Sequence, residues 1–113
     1  MSSGHAQTNR PVSLADEDEL DELIGSAGTV LVEFYTNGCG ICQSMEPVLG
    51  VLARSTDATV ATVNPRDDPV LLDRFQVQSV PLLVLFVDGE PVARRADGFV
   101  GADDLRDWID DSR

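Results

Sequence analysis

Cys39 and Cys42, the two cysteines of the chain, lie where an apolar run changes into a helical pattern. The residues before them, 29–36, are rich in branched and aromatic side chains and predict a strand covered on both faces. After them, apolar residues recur at the spacing of a helix, at Ile41, Met45, Val48, Leu49 and Leu52. We therefore expect both thiols at the junction between a strand and the helix that follows it.

This position favours thiol–disulfide exchange. The thiolate is the reacting species, and the unpaired N–H groups at a helix N-terminus lower the pKa of a nearby thiol. Two residues separate the cysteines, so the sulfurs can close a disulfide across the loop. We expect Cys39, at the end of the loop, to attack a target disulfide, and Cys42 to resolve the mixed disulfide from inside the first helical turn.

The elements that position the cysteines are predicted in the order β-α-β-α-β-α-β-β-α. Strands are expected near residues 10–13, 29–36, 58–64, 82–87 and 91–95, with Asp88-Gly89 as a hairpin turn before the last one. Ser13, followed by Asp16 three residues later, predicts the capped start of the first helix, and Gly25 and Gly28 predict its end. Parallel crossovers and a terminal hairpin together indicate an α/β fold with a mixed sheet.

Length and hydrophobicity indicate one folded domain at residues 10–113, preceded by a polar tail at residues 1–9 that we expect to be disordered. The tail has no apolar segment of the kind found in signal peptides. The longest apolar run, residues 80–87, is too short to span a bilayer. A cytoplasmic location is the expectation, and in that compartment paired cysteines are more often catalytic than structural.

The charge is strongly negative, with 20 acidic residues against eight arginines, no lysine and a net charge of −12. Such a chain repels phosphate backbones, so nucleic-acid binding is not expected. It also repels itself unless salt screens the charges. This composition is typical of proteins from a salt-loaded cytoplasm, and we expect a halophilic source; a GC-rich genome is the alternative explanation for the missing lysine.

The segment VEFYTNGCGIC, followed later by VQSVPLLVLFVDGE, resembles the thioredoxin family over roughly residues 12–111. The motif includes Glu33 before the cysteines, Pro47 after them, and Val80-Pro81 before a hydrophobic strand. The resemblance implies an α/β thioredoxin fold with a central mixed sheet of four to five strands flanked by about four helices. It also implies regeneration by a thioredoxin reductase. We expect a protein-disulfide reductase that acts on disulfide-containing proteins and needs no bound cofactor, because the dithiol carries the electrons. A monomer is the default expectation.

The resemblance assigns roles to residues around the cysteines. Glu33 would be a buried acid beneath Cys42 that serves as its general base. The family usually has aspartate at the position of Glu33, and a lysine beside it where this chain has Thr62. Pro81 would follow a cis peptide bond, and the backbone of Val80 would pair with an extended target segment.

Four further residues are expected at the substrate surface: Gly38, Gly40, Ile41 and Gly98. Two of them depart from the family. Gly38 stands where a tryptophan is usual, and Ile41 replaces the common proline between the cysteines. These departures keep open a protein-disulfide oxidase or isomerase as an alternative to a reductase.

Other classes are weighed against this chemistry. A glutathione-dependent glutaredoxin is disfavoured, because no Gly-Gly segment follows the proline-led strand and no lysine is available for the glutathione carboxylate. A zinc-binding module is disfavoured, because a structural zinc site has four protein ligands and the cysteines supply only two. A noncatalytic interaction module, which docks through its acidic surface, is the remaining alternative.

Overall fold

A computed structural model describes residues 9–113. The predicted tail at residues 1–9 therefore lies outside the described residues, apart from Asn9. In chain order the elements are β1 (Val12–Leu14), α1 (Glu17–Ser26), β2 (Thr29–Phe34), α2 (Gly40–Ser55), β3 (Thr59–Val63), α3 (Val70–Arg74), β4 (Leu82–Val87), β5 (Glu90–Arg95) and α4 (Ala102–Ser112). This order is the predicted one. None of these helices is long and apolar enough to cross a membrane.

The five strands form one mixed sheet in the order β1-β3-β2-β4-β5. Strands β1, β3 and β2 run parallel, and β4 pairs antiparallel with both β2 and β5. The turn between β4 and β5 is Asp88-Gly89, and both residues have positive φ angles, 53° and 86°. A two-residue turn of this kind matches the twist of a hairpin, which explains why the sequence pair predicted it correctly.

Hydrophobic cores cover both faces of the sheet, because successive residues of a strand point to opposite faces. Val30, Val32 and Phe34 of β2 belong to the core formed with α1 and α3. Leu31 belongs to the other core, formed with α2 and α4. Glu33 has the same parity as Leu31. The strand therefore directs Glu33 towards the face covered by α2, the helix that begins at the cysteines.

The start of α1 differs from the prediction. Asp16 is the N-cap, and its carboxylate accepts a hydrogen bond from the N–H of Glu19 at 2.9 Å. Ser13 lies within β1, where it is paired with Thr62 of β3 and is three residues too early to cap the helix. The predicted Ser13 cap is therefore wrong. The helix ends at Ser26, between Gly25 and Gly28, the two residues that predicted its end.

Candidate active site

Cys39 and Cys42 form a disulfide at the start of α2, with their Cα atoms 5.2 Å apart. Cys39 is the N-cap residue, and its Sγ accepts a hydrogen bond from the backbone N–H of Cys42 at 3.1 Å. Cys39 is half-buried, whereas Cys42 is 4% exposed. An incoming thiolate can therefore reach Cys39, and the Cys42 N–H can stabilise negative charge on the Cys39 sulfur once the disulfide opens.

Glu33 is 2% exposed, and its Oε2 atom has no hydrogen-bond partner among the described residues. Its partner in the pairing of β2 with β3 is Thr62, which carries no charge. Burial, and secondarily the negative charge of Glu46, raises the pKa of Glu33 to about 7. A carboxyl with this pKa can accept and release a proton near neutral pH, which suits a general base.

A cavity of about 510 Å³ joins Glu33 to the cysteine loop. Cys42, Glu46 and Thr62 contribute to its wall; the other lining residues are Pro11, Ser13, Tyr35, Thr36, Asn37, Gly38, Gln43 and Leu49. This wall contains no arginine, as far as the described part of the chain shows. The cavity has polar groups in its wall and room for water, so water can carry a proton between Cys42 and Glu33.

The Val80–Pro81 peptide bond is cis, as predicted. Pro81 is buried and Val80 is half-buried at the start of β4. Val80 lines a second surface depression together with Thr36, which also lines the cavity of Glu33. The proline turn therefore lies on the same side of the molecule as the loop that leads to Cys39.

Two large apolar side chains close to the site in sequence are exposed, Ile41 by 48% and Phe99 by 57%. The spacing of Ile41 predicted that it would join the buried stripe of α2. This prediction is wrong, because Cys42 takes the first buried position of the helix and Ile41 is exposed. Two residues after Gly98, the N–H of Val100 donates a hydrogen bond to Met45 Sδ at 3.5 Å, which connects the segment 98–100 to α2. Both exposed side chains are thus available to a target protein.

The sequence profile of the thioredoxin family matches residues 11–111. The chain belongs to the thioredoxin family. Thioredoxin from Mycobacterium tuberculosis is 36% identical over 91 residues, which are 79% of this chain and 78% of that protein. A mutant thioredoxin from Halobacterium salinarum NRC-1 superimposes with a TM-score of 0.87 at 37% identity, covering 93% of this chain and 92% of that one. A bifunctional thioredoxin reductase/thioredoxin from Mycobacterium leprae is 33% identical over 101 residues, which are 88% of this chain and 22% of that protein.

Family membership and the site agree on the class of chemistry. Thioredoxins are protein-disulfide oxidoreductases, and this chain has the paired cysteines that such an activity requires. The predicted thioredoxin fold is confirmed by the sheet order and by the superposition. The chain is therefore a thiol–disulfide oxidoreductase of the thioredoxin family.

Gly38 stands where the thioredoxin family usually has tryptophan, and its backbone conformation favours glycine. Its φ is +81°, in the region that residues with a Cβ rarely adopt. A Cβ built at this position meets no atom within 4 Å, so space does not exclude a side chain. The conformation of the loop, more than crowding, explains the glycine at this position.

Sequence reasoning missed Glu46 as a residue of the site. Glu46 follows Cys42 by four residues, so the two side chains lie one above the other on the same face of α2. It lines the cavity and acts on Glu33 through its charge. The spacing from Cys42 was the available signal, but only the fold shows that Glu33 faces the same cavity.

Proposed function

We propose that this chain reduces disulfides in other proteins, with the Cys39–Cys42 dithiol as its electron carrier. The observation that carries the proposal is the unequal exposure of two sulfurs at one helix N-terminus, with Cys39 half-buried and Cys42 4% exposed. One sulfur can meet a target while the other stays protected behind it. The two thiols supply both electrons, so the reaction needs no bound cofactor.

The reaction begins when the Cys39 thiolate attacks one sulfur of a target disulfide. An S–S bond forms between Cys39 and the target, and the second target sulfur leaves as a thiolate. Glu33 then accepts the proton of Cys42, and the resulting thiolate attacks Cys39 Sγ. The Cys39–target bond breaks, the first target sulfur leaves as a thiolate, and the protein retains the Cys39–Cys42 disulfide.

A target segment is held beside Cys39 by the backbone of Val80, a half-buried residue that precedes Pro81. Gly38 and Gly40 leave the approach to the sulfur open. Ile41 contributes exposed apolar area, and Gly98 belongs to the segment that contacts α2 through Val100 and Met45. Apolar side chains next to a disulfide in an unfolded or flexible target segment fit this surface.

Regeneration requires a donor of two electrons, and we assign this role to a thioredoxin reductase. The Mycobacterium leprae relative, described as both a thioredoxin reductase and a thioredoxin, supports the pairing. We further propose a monomer with a single domain at residues 10–113 that works in a salt-rich cytoplasm. The net charge of −12 and the likeness to the Halobacterium protein support that setting.

An oxidase or isomerase is the second candidate, and the departures at Gly38 and Ile41 favour it. Proline between the cysteines would fix φ in the first turn of α2, and Ile41 does not. The relative stability of the dithiol and the disulfide can therefore differ from that of other thioredoxins.

The reduction potential of the Cys39–Cys42 couple, measured in high salt against a glutathione or dithiothreitol series, separates the two candidates. A reductant should have a potential of roughly −270 mV, and an isomerase or oxidant one of roughly −180 to −120 mV. Reduction of a protein disulfide such as that of insulin should accompany the lower value. A potential in the upper range, with oxidation of reduced test proteins, would reject the reductase.

A further inference from the structure

Glu46 is an exposed residue of α2 whose side chain reaches the wall of the cavity that holds Glu33. It lies four residues beyond Cys42, one helical turn further from the loop. The helix therefore places Cys42 and Glu46 side by side, and the strand below directs Glu33 at the same space. These three side chains, each of which can carry or exchange a proton, therefore line one cavity.

Among residues 9–113, no positively charged side chain lines the cavity to balance these acids. The titratable residues on its wall, besides Glu33, are Tyr35 at the end of β2 and Cys42 and Glu46 on α2. The contributions of β1 and β3 are the hydroxyl residues Ser13 and Thr62. Glu33 Oε2 is buried and has no partner in the described part of the chain. The charged side chain that shares this wall with Glu33 is therefore Glu46, and its charge is negative.

We propose that Glu46 controls, through its negative charge, the transfer of the proton from Cys42 to Glu33 in the resolving step. The inference rests on the reducing function proposed above and assigns a positioning role to a residue outside the cysteine loop. Glu46 forms no bond with the target and donates no electron. It acts on the residue that takes the proton.

The physical reason is repulsion between two carboxylates. An ionised Glu33 beside Glu46 is less stable than a neutral Glu33 beside it, so Glu46 favours the protonated form. Glu46 is accordingly one of the two causes that raise the pKa of Glu33, after burial. Because a stronger base takes the thiol proton more readily, Glu46 makes Glu33 the better acceptor for the Cys42 proton at neutral pH.

The step balances without another reactant. The proton leaves Cys42 Sγ for a Glu33 carboxylate oxygen, and the electron pair left on Cys42 forms the S–S bond with Cys39. The Cys39–target S–S bond breaks, and its electron pair leaves with the target thiolate. Glu33 afterwards releases its proton to water in the cavity, and the site is ready for re-reduction.

The test isolates the resolving step in the full-length reduced protein with a limiting amount of the disulfide reagent DTNB. Attack by Cys39 releases one thionitrobenzoate, and attack by Cys42 on the mixed disulfide releases the second. The two releases are followed by stopped-flow absorbance over a pH series. Glu46→Gln removes the charge and keeps the shape, Glu46→Asp keeps the charge, and Glu22→Gln on the exposed face of α1 is the matched control.

Glu46→Gln should move the pH midpoint of the second release downwards by about half a pH unit, as expected for loss of one screened like charge. The first release should keep its pH profile, and Glu46→Asp should restore the wild-type midpoint. A carbon-13 carboxyl titration of Glu33 by NMR should show the same downward shift. The Glu22→Gln control should leave both midpoints in place.

Identical midpoints for wild type and Glu46→Gln would overturn the proposal, as would an equal shift in the Glu22→Gln control, which would indicate a general charge effect. Failure of the reducing function itself looks different. In that case the reduction potential of the Cys39–Cys42 couple would lie in the range given above for oxidants and isomerases, whatever residue stood at position 46.

Discussion

Glu33 and Thr62 are direct partners in the parallel pairing of β2 with β3, and this pair sets an acid against an uncharged hydroxyl residue. Both side chains line the cavity beneath Cys42. The thioredoxin resemblance places a lysine at the position of Thr62, and with that lysine an ionised acid would have a counter-charge. In this chain, burial and the negative charge of Glu46 both disfavour the ionised form of Glu33, and the pKa of Glu33 rises to about 7.

Thr62→Lys should reverse this balance. A lysine can extend its apolar stem along the wall and place its ammonium group in the cavity, where it stabilises the Glu33 carboxylate. We expect the pKa of Glu33 to fall by about one unit or more, as measured by carbon-13 NMR of the carboxyl carbon. Thr62→Met, which has similar length without charge, is the control. Equal titration midpoints in the two variants would show that the position does not govern Glu33.

Glu33→Gln should change stability in a pH-dependent manner. Burial raises the pKa of Glu33 from 4.5 to about 7, so the native state holds a proton that the unfolded chain loses between these values. The stability contributed by neutral Glu33 is complete below the lower value and is lost as pH rises through the upper one. The variant should therefore gain up to about 3 kcal/mol relative to wild type above about pH 8.

Denaturant unfolding of the oxidised proteins over a pH series in high salt measures this difference. Below about pH 4 the relative stability of the two proteins should stop changing with pH. Glu22→Gln, an exposed change of the same chemistry, should show no such pH-dependent gain. If the difference in unfolding free energy between wild type and Glu33→Gln stayed constant from acid to alkaline pH, the fold would not hold Glu33 neutral.

Much of the site could be predicted because its signals are local. The branched residues of β2, the Cys-x-x-Cys spacing and the Asp88-Gly89 turn each act within a few residues, and the structure has the corresponding strand, helix start and hairpin. The cis bond before Pro81 followed from the resemblance, because cis is inexpensive only before proline.

Other features depend on parts of the chain that meet only in the fold. Ser13 has the right spacing from Asp16 for a cap, but its pairing with β3 holds it extended, and Asp16 takes the capping role. Glu46 reads as an ordinary surface acid of a helix. Its importance appears only when β2 places Glu33 under α2, a relationship that spacing along one helix does not contain.

Cys42→Ser should trap target proteins as mixed disulfides on Cys39. Cys39 remains accessible in this variant, and the buried position no longer has a thiol to break the intermolecular bond. Non-reducing electrophoresis and mass spectrometry should show adducts that dithiothreitol releases. Cys39→Ser is the matched control and should form few or none. Adducts of equal abundance on both variants would contradict the division of roles between the two sulfurs.

Asp16→Ala should destabilise the protein by about 1 kcal/mol, because the N–H of Glu19 loses its capping carboxylate. Asp18→Ala is the comparison for the loss of charge, because Asp18 lies two residues further along, in the first turn of α1, and does not make the cap bond. Denaturant melts in high salt measure both, since salt reduces the general effect of charge removal. If Asp16→Ala lost less stability than Asp18→Ala, the capping hydrogen bond would not contribute to the stability of this helix.

The melting temperature should rise with salt. The net charge of −12 favours expansion of the chain, and screening of that repulsion stabilises the compact state. Salt also weakens surface ion pairs, such as those of Arg74 with Glu17 and Asp21, but exposed pairs contribute little. Differential scanning calorimetry from dilute buffer to about 2 M KCl should therefore show a net increase in Tm. A flat or falling Tm would count against adaptation to a salt-rich cell.

The unequal exposure of the two sulfurs also has a consequence for the order in which a target protein and a reductase can react with this chain. In the proposed cycle, a target disulfide and a regenerating reductase both exchange through Cys39, because Cys42 is buried. The two partners therefore compete for one atom and cannot be bound productively at the same time. We therefore expect each turnover to be a double-displacement cycle in which one partner leaves before the other binds. Steady-state rates at several fixed concentrations of the reductase should give parallel lines in a double-reciprocal plot.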